Sequence, residues 1–182
     1  MLASASPQRR RILEQLGVTF TVAPADVEER CGGDPAELVE HNAVLKACSV
    51  SGERVLGSDT AVAIDGDVLG KPADAAEARR FLERLSGREH TVWSAIALVE
   101  RGEVCSAVDH TTVRFRLLTP ADFDAYLAGG EWEGRAGAYA IQGRGAALVE
   151  RIEGDYNCVV GLPVAALVRL APELLLGGPP PG

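Results

Sequence analysis

A carboxylate set in an apolar run is the residue of this chain most able to do chemistry. Asp59 lies in Gly57-Ser58-Asp59-Thr60, after Val55-Leu56 and before Ala61-Val62-Ala63-Ile64. Within or at the end of a buried strand a carboxylate is costly unless it is paired, hydrogen-bonded or bound to a metal. An Asx-type turn is the plain alternative, because Ser-Asp-Thr is good turn chemistry. Residues 26–40 hold Asp26, Glu28, Glu29, Asp34, Glu37 and Glu40 against Arg30 alone. Glu28 and Glu29 could join Asp59 as oxygen donors to a hard divalent cation, whereas a solvated acidic loop is the simpler reading of the spacing.

Two further segments suit an anion and an aromatic base. Ser4-Ala5-Ser6-Pro7-Gln8-Arg9-Arg10-Arg11 reads as a turn into a helix, with hydroxyls, free helix-start amides and three arginines and no acid in residues 1–11. Helix-start amides and forked guanidinium groups both hold phosphate oxygens; a capped surface helix with solvated arginines is the alternative. Lys71, in Gly70-Lys71-Pro72, offers a long cationic arm on a fixed backbone and could meet a phosphate as a point charge. Gln142 sits in the glycine-rich Gly137-Ala138-Tyr139-Ala140-Ile141-Gln142-Gly143-Arg144-Gly145, where its amide can read the edge of a nucleobase. Tyr139 could stack on a base or fill the core. No Walker loop occurs, and His41, His90 and His110 are too scattered for a zinc site or a His-based triad.

The elements that must carry these residues follow from local signals. A short strand is expected at residues 1–4, then a helix over 7–16 with Ser6 as N-cap and Pro7 at its first position, stopped by Gly17. A strand is expected over 18–24 and a helix from Asp34-Pro35 to about Val50. Residues 54–72 read as a strand, an Asp65-Gly66 hairpin turn and a short second strand. Asp74 should cap a helix to about Leu85; strands over 90–100 and 103–118 should meet at an Arg101-Gly102 turn; Thr119-Pro120 should open a helix to about Leu127. Residues 129–145 read as an ordered loop, followed by a strand over 147–152, a helix over 163–176 and a frayed Gly/Pro tail at 177–182. Strands interspersed with helices, some joined by hairpins, predict an α/β fold with a mixed twisted sheet flanked by helices, organised as a single domain over 1–176.

Composition narrows the class. The chain has 182 residues, 18 Lys+Arg against 26 Asp+Glu, and a formal net charge of −8, which argues against coating a nucleic acid. At 47% hydrophobic residues it is too apolar for intrinsic disorder. No apolar run approaches the roughly 18 residues that span a bilayer, and no signal sequence is evident, so no membrane partner and a cytoplasmic location are expected. Cys31, Cys48, Cys105 and Cys158 show no C-x-x-C spacing and read as free, buried thiols.

Taken in order, SASPQRR, the DVEER segment, GSDT, GKP, GAYAIQGRG and GDYNCVVGLP resemble the Maf family of nucleoside triphosphate pyrophosphatases. The resemblance runs from Leu2 to about Leu170. It implies an α/β fold similar to the inosine triphosphate pyrophosphatases, two lobes around a deep cleft, a homodimer, and hydrolysis of a nucleoside triphosphate to the monophosphate and diphosphate with a divalent metal, Mg²⁺ or Mn²⁺. By the same resemblance Asp59 is the catalytic aspartate, Ser6 and Arg9 bind phosphate, Lys46 and Lys71 are the family's lysines, and Glu29 is the metal-linked glutamate. Gln8, Thr60 and Gln142 fall on positions that track substrate choice, and Thr60 with Ile141-Gln142-Gly143 resembles the branch acting on dTTP and UTP. One departure stands out: the family usually reads Ser-Pro-Arg-Arg, whereas this chain has Ser6-Pro7-Gln8-Arg9. A different class, a nucleotide-binding regulator of cell division that does not hydrolyse its ligand, would use the same residues.

Overall fold

The computed structural model describes residues 1–176, so the tail expected at 177–182 lies outside the described residues. Five strands form one sheet: β1 (Arg54–Ile64), β2 (Asp67–Leu69), β3 (Glu89–Glu100), β4 (Glu103–Phe115) and β5 (Val149–Glu153), in the order β2-β1-β3-β4-β5. Every pairing between them is antiparallel. The parallel character is confined to isolated bridges from Leu2 to Val22 and to Leu56. Two-residue turns close the hairpins as expected, with φ 56° at Asp65, 84° at Gly66, 51° at Arg101 and 84° at Gly102. Positive φ at both central positions matches the right-handed twist of the flanking strands.

The helix starts also fall where the sequence places them. Ser6 caps α1 (Pro7–Gln15), Asp34 caps α2 (Pro35–Cys48), Asp74 caps α3 (Ala75–Leu85), and Thr119 with Asp122 forms a capping box on α4 (Pro120–Leu127). Each cap accepts from amides of the first turn that have no partner inside the helix.

Alternation along the strands sorts the core into three bodies. Ala61, Ala95 and Ala97 face α2, where Leu38, Val39, Ala43 and Ala47 cover them. The opposite positions split in two. Leu56, Ile96 and Leu98 pack with Ile12 and Leu13 of α1 and with Leu167 of α6 (Val164–Leu170). Val62, Ile64 and Val92 pack with Leu82, Phe123 and Tyr139. Between these two apolar bodies the same face presents Ser58, Thr60 and Ser94, and the last two hydroxyls lie 2.9 Å apart.

Several expectations are corrected. Residues 1–4 and 18–24 make single bridges rather than strands, because Ser4 Oγ accepts from Ser6 N and turns the chain into α1. The fourth strand ends at Phe115 rather than at residue 118, since the register shifts after Arg114 and Leu118 N donates to the Ser86 hydroxyl instead of a ladder. The last helix breaks into α6 and α7 (Glu173–Leu176) at Ala171-Pro172, where proline cannot supply the amide that would continue it. A five-residue helix, α5 (Tyr156–Val160), was not expected; Asp155 starts it by accepting from Asn157 N at 2.8 Å. The loop over 129–145 contains a 3₁₀ turn at Ala136–Ala138, and a second, Arg144–Leu148, takes the start of the strand expected at 147–152.

Candidate active site

The outer edge of β1 is incompletely covered. Leu56 is bridged to Leu2 and Val62 pairs with Leu69, but among the described residues no strand pairs with β1 on that side in between. A cavity of about 760 Å³ opens at this gap. Consecutive residues of a strand point to opposite faces, yet at an uncovered edge both faces are within reach, so Asp59 and Thr60 line the same cavity.

The wall on the α2 side is a closed hydrogen-bond network. Asn42 and Lys46 are one turn apart on α2 and face β1 together. Their approach depends on Gly57: a Cβ there would stand 2.2 Å from the carbonyl oxygen of Ala43 and 2.7 Å from the amide nitrogen of Ala47. Lys46 Nζ donates to Asp59 Oδ1 at 2.6 Å and lies 3.0 Å from Glu29 Oε1. Asn42 Nδ2 donates to Asp59 Oδ2 at 3.1 Å and to the Arg30 carbonyl at 3.1 Å, while Asn42 Oδ1 accepts from Arg30 N at 2.9 Å. Asn42 therefore fixes the segment carrying Glu29 to the helix carrying Lys46. Asp59 and Lys46 are only 8% and 7% exposed, and each buried charge has its opposite beside it.

Arg9 forms the floor. Its Nε donates to the Gly161 carbonyl at 2.8 Å, one terminal nitrogen to Ser4 Oγ at 3.1 Å and the other to Thr60 Oγ1 at 3.2 Å. All three acceptors are neutral. Burial works against the charged form of Arg9, and the fields of Asp59 and Glu29 oppose that effect. Ser6 Oγ accepts from Arg9 N and donates to Gln8 Oε1 at 3.1 Å.

The opposite wall is built from the end of β2 and the loop over 134–142. Gly137 N donates to the Gly70 carbonyl at 3.1 Å, which ties that loop to the residue preceding Lys71. Lys71, Arg135, Tyr139 and Gln142 line this side. Tyr139 is held from behind by a 2.8 Å hydrogen bond with buried His90 Nε2 and by edge contact with Phe115.

Ser6, Arg9, Glu29, Lys46, Asp59, Thr60, Lys71 and Gln142 all line the one cavity. Gln8 does not; its side chain is turned onto Ser6. Thr60 is a hub, bonded to Arg9 and Ser94, with its hydroxyl facing the Gly161 carbonyl at 3.4 Å. The sequence reading missed Asn42, Ser94, Arg135 and the Gly161 carbonyl. Asn42 was open to detection, since it precedes Lys46 by one helical turn. A backbone carbonyl leaves no such trace. The cysteine expectation is corrected as well: all four are free, but Cys31, Cys48 and Cys105 are exposed, and only Cys158 is buried, its thiol pushed up to about 11 by burial.

Among the described residues no group of three or more His, Cys, Asp or Glu is placed to hold a metal ion. Two carboxylates facing a roomy cavity, Asp59 and Glu29, are nevertheless a donor set that suits Mg²⁺ or Mn²⁺, which complete their shells with water and phosphate oxygens. Arranged in this way, the cavity combines hard oxygen donors, Asp59 and Glu29, with cations that have no carboxylate partner among the described residues, Arg9, Arg30, Lys71 and Arg135.

The family model described as Maf-like protein matches residues 1–174. The chain belongs to the Maf-like family. It is 49% identical over 176 residues to a protein of Symbiobacterium thermophilum named dTTP/UTP pyrophosphatase, covering 93% of this chain and 91% of that one. A Gloeobacter violaceus protein of the same name is 49% identical over 181 residues, with 95% and 94% covered, and one of Moorella thermoacetica is 48% identical over 178 residues, with 93% and 92% covered. As Maf-like architecture, the antiparallel sheet flanked by helices is the α/β fold that the sequence resemblance implied.

Proposed function

We propose that this chain is a nucleoside triphosphate pyrophosphatase that hydrolyses dTTP and UTP to the monophosphate and diphosphate. The observation that carries the reading is Asp59: a nearly buried carboxylate with both oxygens held, facing a cavity whose other charged residues are mostly cations. The names of its Maf-like relatives support the substrate pair.

In the proposed reaction a water oxygen bonds to the α-phosphorus, the bond from that phosphorus to the oxygen bridging to the β-phosphorus breaks, and diphosphate leaves. Asp59 orients the water and receives its proton. Lys46 and Asn42 keep the carboxylate fixed, so no reorganisation is needed when charge develops. Arg9 holds the positions of Ser4 and Thr60 and places positive charge under the phosphates. Asp59 and Glu29 would hold the divalent cation, which supplies neutralisation of phosphate charge when bound. Gln142, exposed at the cavity wall, presents its amide to the pyrimidine edge. Metal dependence and a homodimeric state belong to the same proposal and rest on the family resemblance, while a cytoplasmic location rests on the sequence reading; among the described residues no helix is long and apolar enough to cross a membrane.

A diphosphate-release screen over pyrimidine, purine and modified nucleoside triphosphates, with and without a chelator, tests the reading. Diphosphate and monophosphate should appear together, fastest from dTTP and UTP, and the chelator should abolish both. Release of orthophosphate, or nucleotide binding without any turnover, would overturn it.

A further inference from the structure

Most cations of this protein have a partner, and those that do not are concentrated in one place. Of the 18 lysines and arginines, seven have no carboxylate within 4.0 Å among the described residues. Four of these seven, Arg9, Arg30, Lys71 and Arg135, line the cavity. Arg9 has three of its five N–H donors engaged by neutral acceptors. Arg135 differs: its Nε is buried and has no hydrogen-bond partner, one of only two such side-chain atoms among the described residues. A buried guanidinium N–H without an acceptor is costly, and in a native protein it calls for an explanation.

The backbone around Arg135 is fixed. Its N–H donates to the Trp132 carbonyl, its carbonyl accepts from Ala138 N, and Gly137 N is tied to the Gly70 carbonyl beside Lys71. A planar fork of donors and a point charge are thus held on one wall, across the cavity from the Asp59–Lys46–Glu29 network, with no acid of their own. The ligand chemistry that satisfies both is an oxyanion with several charged oxygens.

We propose that Arg135 is a substrate-binding residue that, with Lys71, grips the diphosphate portion of the nucleotide, the part that leaves. This rests on the reading of the cavity as a triphosphate site. Arg135 accepts no proton and makes no bond to the reacting phosphorus; its fork holds β- and γ-phosphate oxygens, and the water attacks from the other wall.

Binding of inorganic diphosphate and of dTMP, each with Mg²⁺, to the wild type and to R135Q and R135K separates the alternatives by calorimetry. Loss of one charge-assisted contact should weaken diphosphate binding to R135Q about tenfold, leave dTMP binding within about twofold, and raise KM for dTTP more than it lowers kcat. R135K, which keeps the charge without the fork, should fall between the two. Unchanged diphosphate affinity in R135Q would overturn the proposal, as would an equal loss for diphosphate and dTMP, which marks a merely structural role. Failure of the parent reading looks different: the wild type would then release no diphosphate from any triphosphate, whatever the affinities.

Discussion

The two walls of the cavity are built on opposite plans. On the α2 side the central groups are committed to one another: Asp59 to Lys46 and Asn42, Lys46 also to Glu29, Asn42 also to the Arg30 backbone. On the other side Lys71, Arg135 and Gln142 make no side-chain hydrogen bond to any described residue, although the backbone beneath them is anchored. The difference teaches where each kind of free energy is placed. In the proposed reaction the groups that steer the water are pre-organised, so their arrangement costs nothing when charge develops. The groups proposed to grip the substrate are left unsatisfied, so that an arriving nucleotide would supply their partners and release binding energy only then.

The committed wall should be the one whose disruption unfolds the protein. Lys46→Met leaves the Asp59 carboxylate buried against an apolar group, and breaking such a pair should cost about 3–5 kcal/mol of stability, read from denaturant unfolding. Adding Asp59→Asn to Lys46→Met should return much of that loss, because the stranded charge is then gone.

Behind the open wall a second dependence operates through His90, which is 3% exposed and whose pKa burial lowers to about 4. Its unfolded value is near 6.5, so as pH falls below 6.5 the unfolded chain takes up the proton first and stability drops until about pH 4, then levels off. The full drop is about 3 kcal/mol, and above pH 6.5 there is none. Melting temperatures of wild type and His90→Gln across this range check it: the variant should lose that part of the slope.

Asp59→Asn alone keeps one acceptor for Lys46 or Asn42, turns an amide N–H toward the other donor and cannot take a proton, and should lower kcat on the order of 10² with a modest change in KM. Near-normal turnover would remove Asp59 from the chemistry. The smallest effect belongs to the open wall's Gln142: Gln142→Ala should shift the preference among dTTP, CTP and GTP by about tenfold or less while folding is unchanged. Unaltered ratios would make Gln142 structural.

How much of this was readable beforehand also divides along local and non-local lines. Ser6-Pro7, Asp34-Pro35, Asp74 and Thr119-Pro120 start helices through hydrogen bonds within a few residues, and Asp65-Gly66 and Arg101-Gly102 close hairpins by their own φ preferences. Asp59 was legible because a charge in an apolar run is expensive wherever the chain goes. The floor of the site was not, since Arg9 reaches the Gly161 carbonyl across 152 positions of sequence and no residue type announces an acceptor on the backbone. Arg135 looked like any loop arginine, and only its buried, partnerless Nε distinguishes it. Gln8, a position that by resemblance tracks substrate choice, lies off the cavity because the turn at Ser6 brings its amide back onto the cap.

The most direct test follows the water. Turnover of dTTP in water carrying a heavy oxygen isotope, with the products separated by mass spectrometry, locates the atom attacked. The label should appear in the monophosphate, in wild type and at the reduced rate in Asp59→Asn alike, and the diphosphate should be unlabelled. Label in the diphosphate, or in orthophosphate, would place the attack on another phosphorus and contradict the proposal that Asp59 acts at the α-phosphate with Arg135 and Lys71 on the part that leaves.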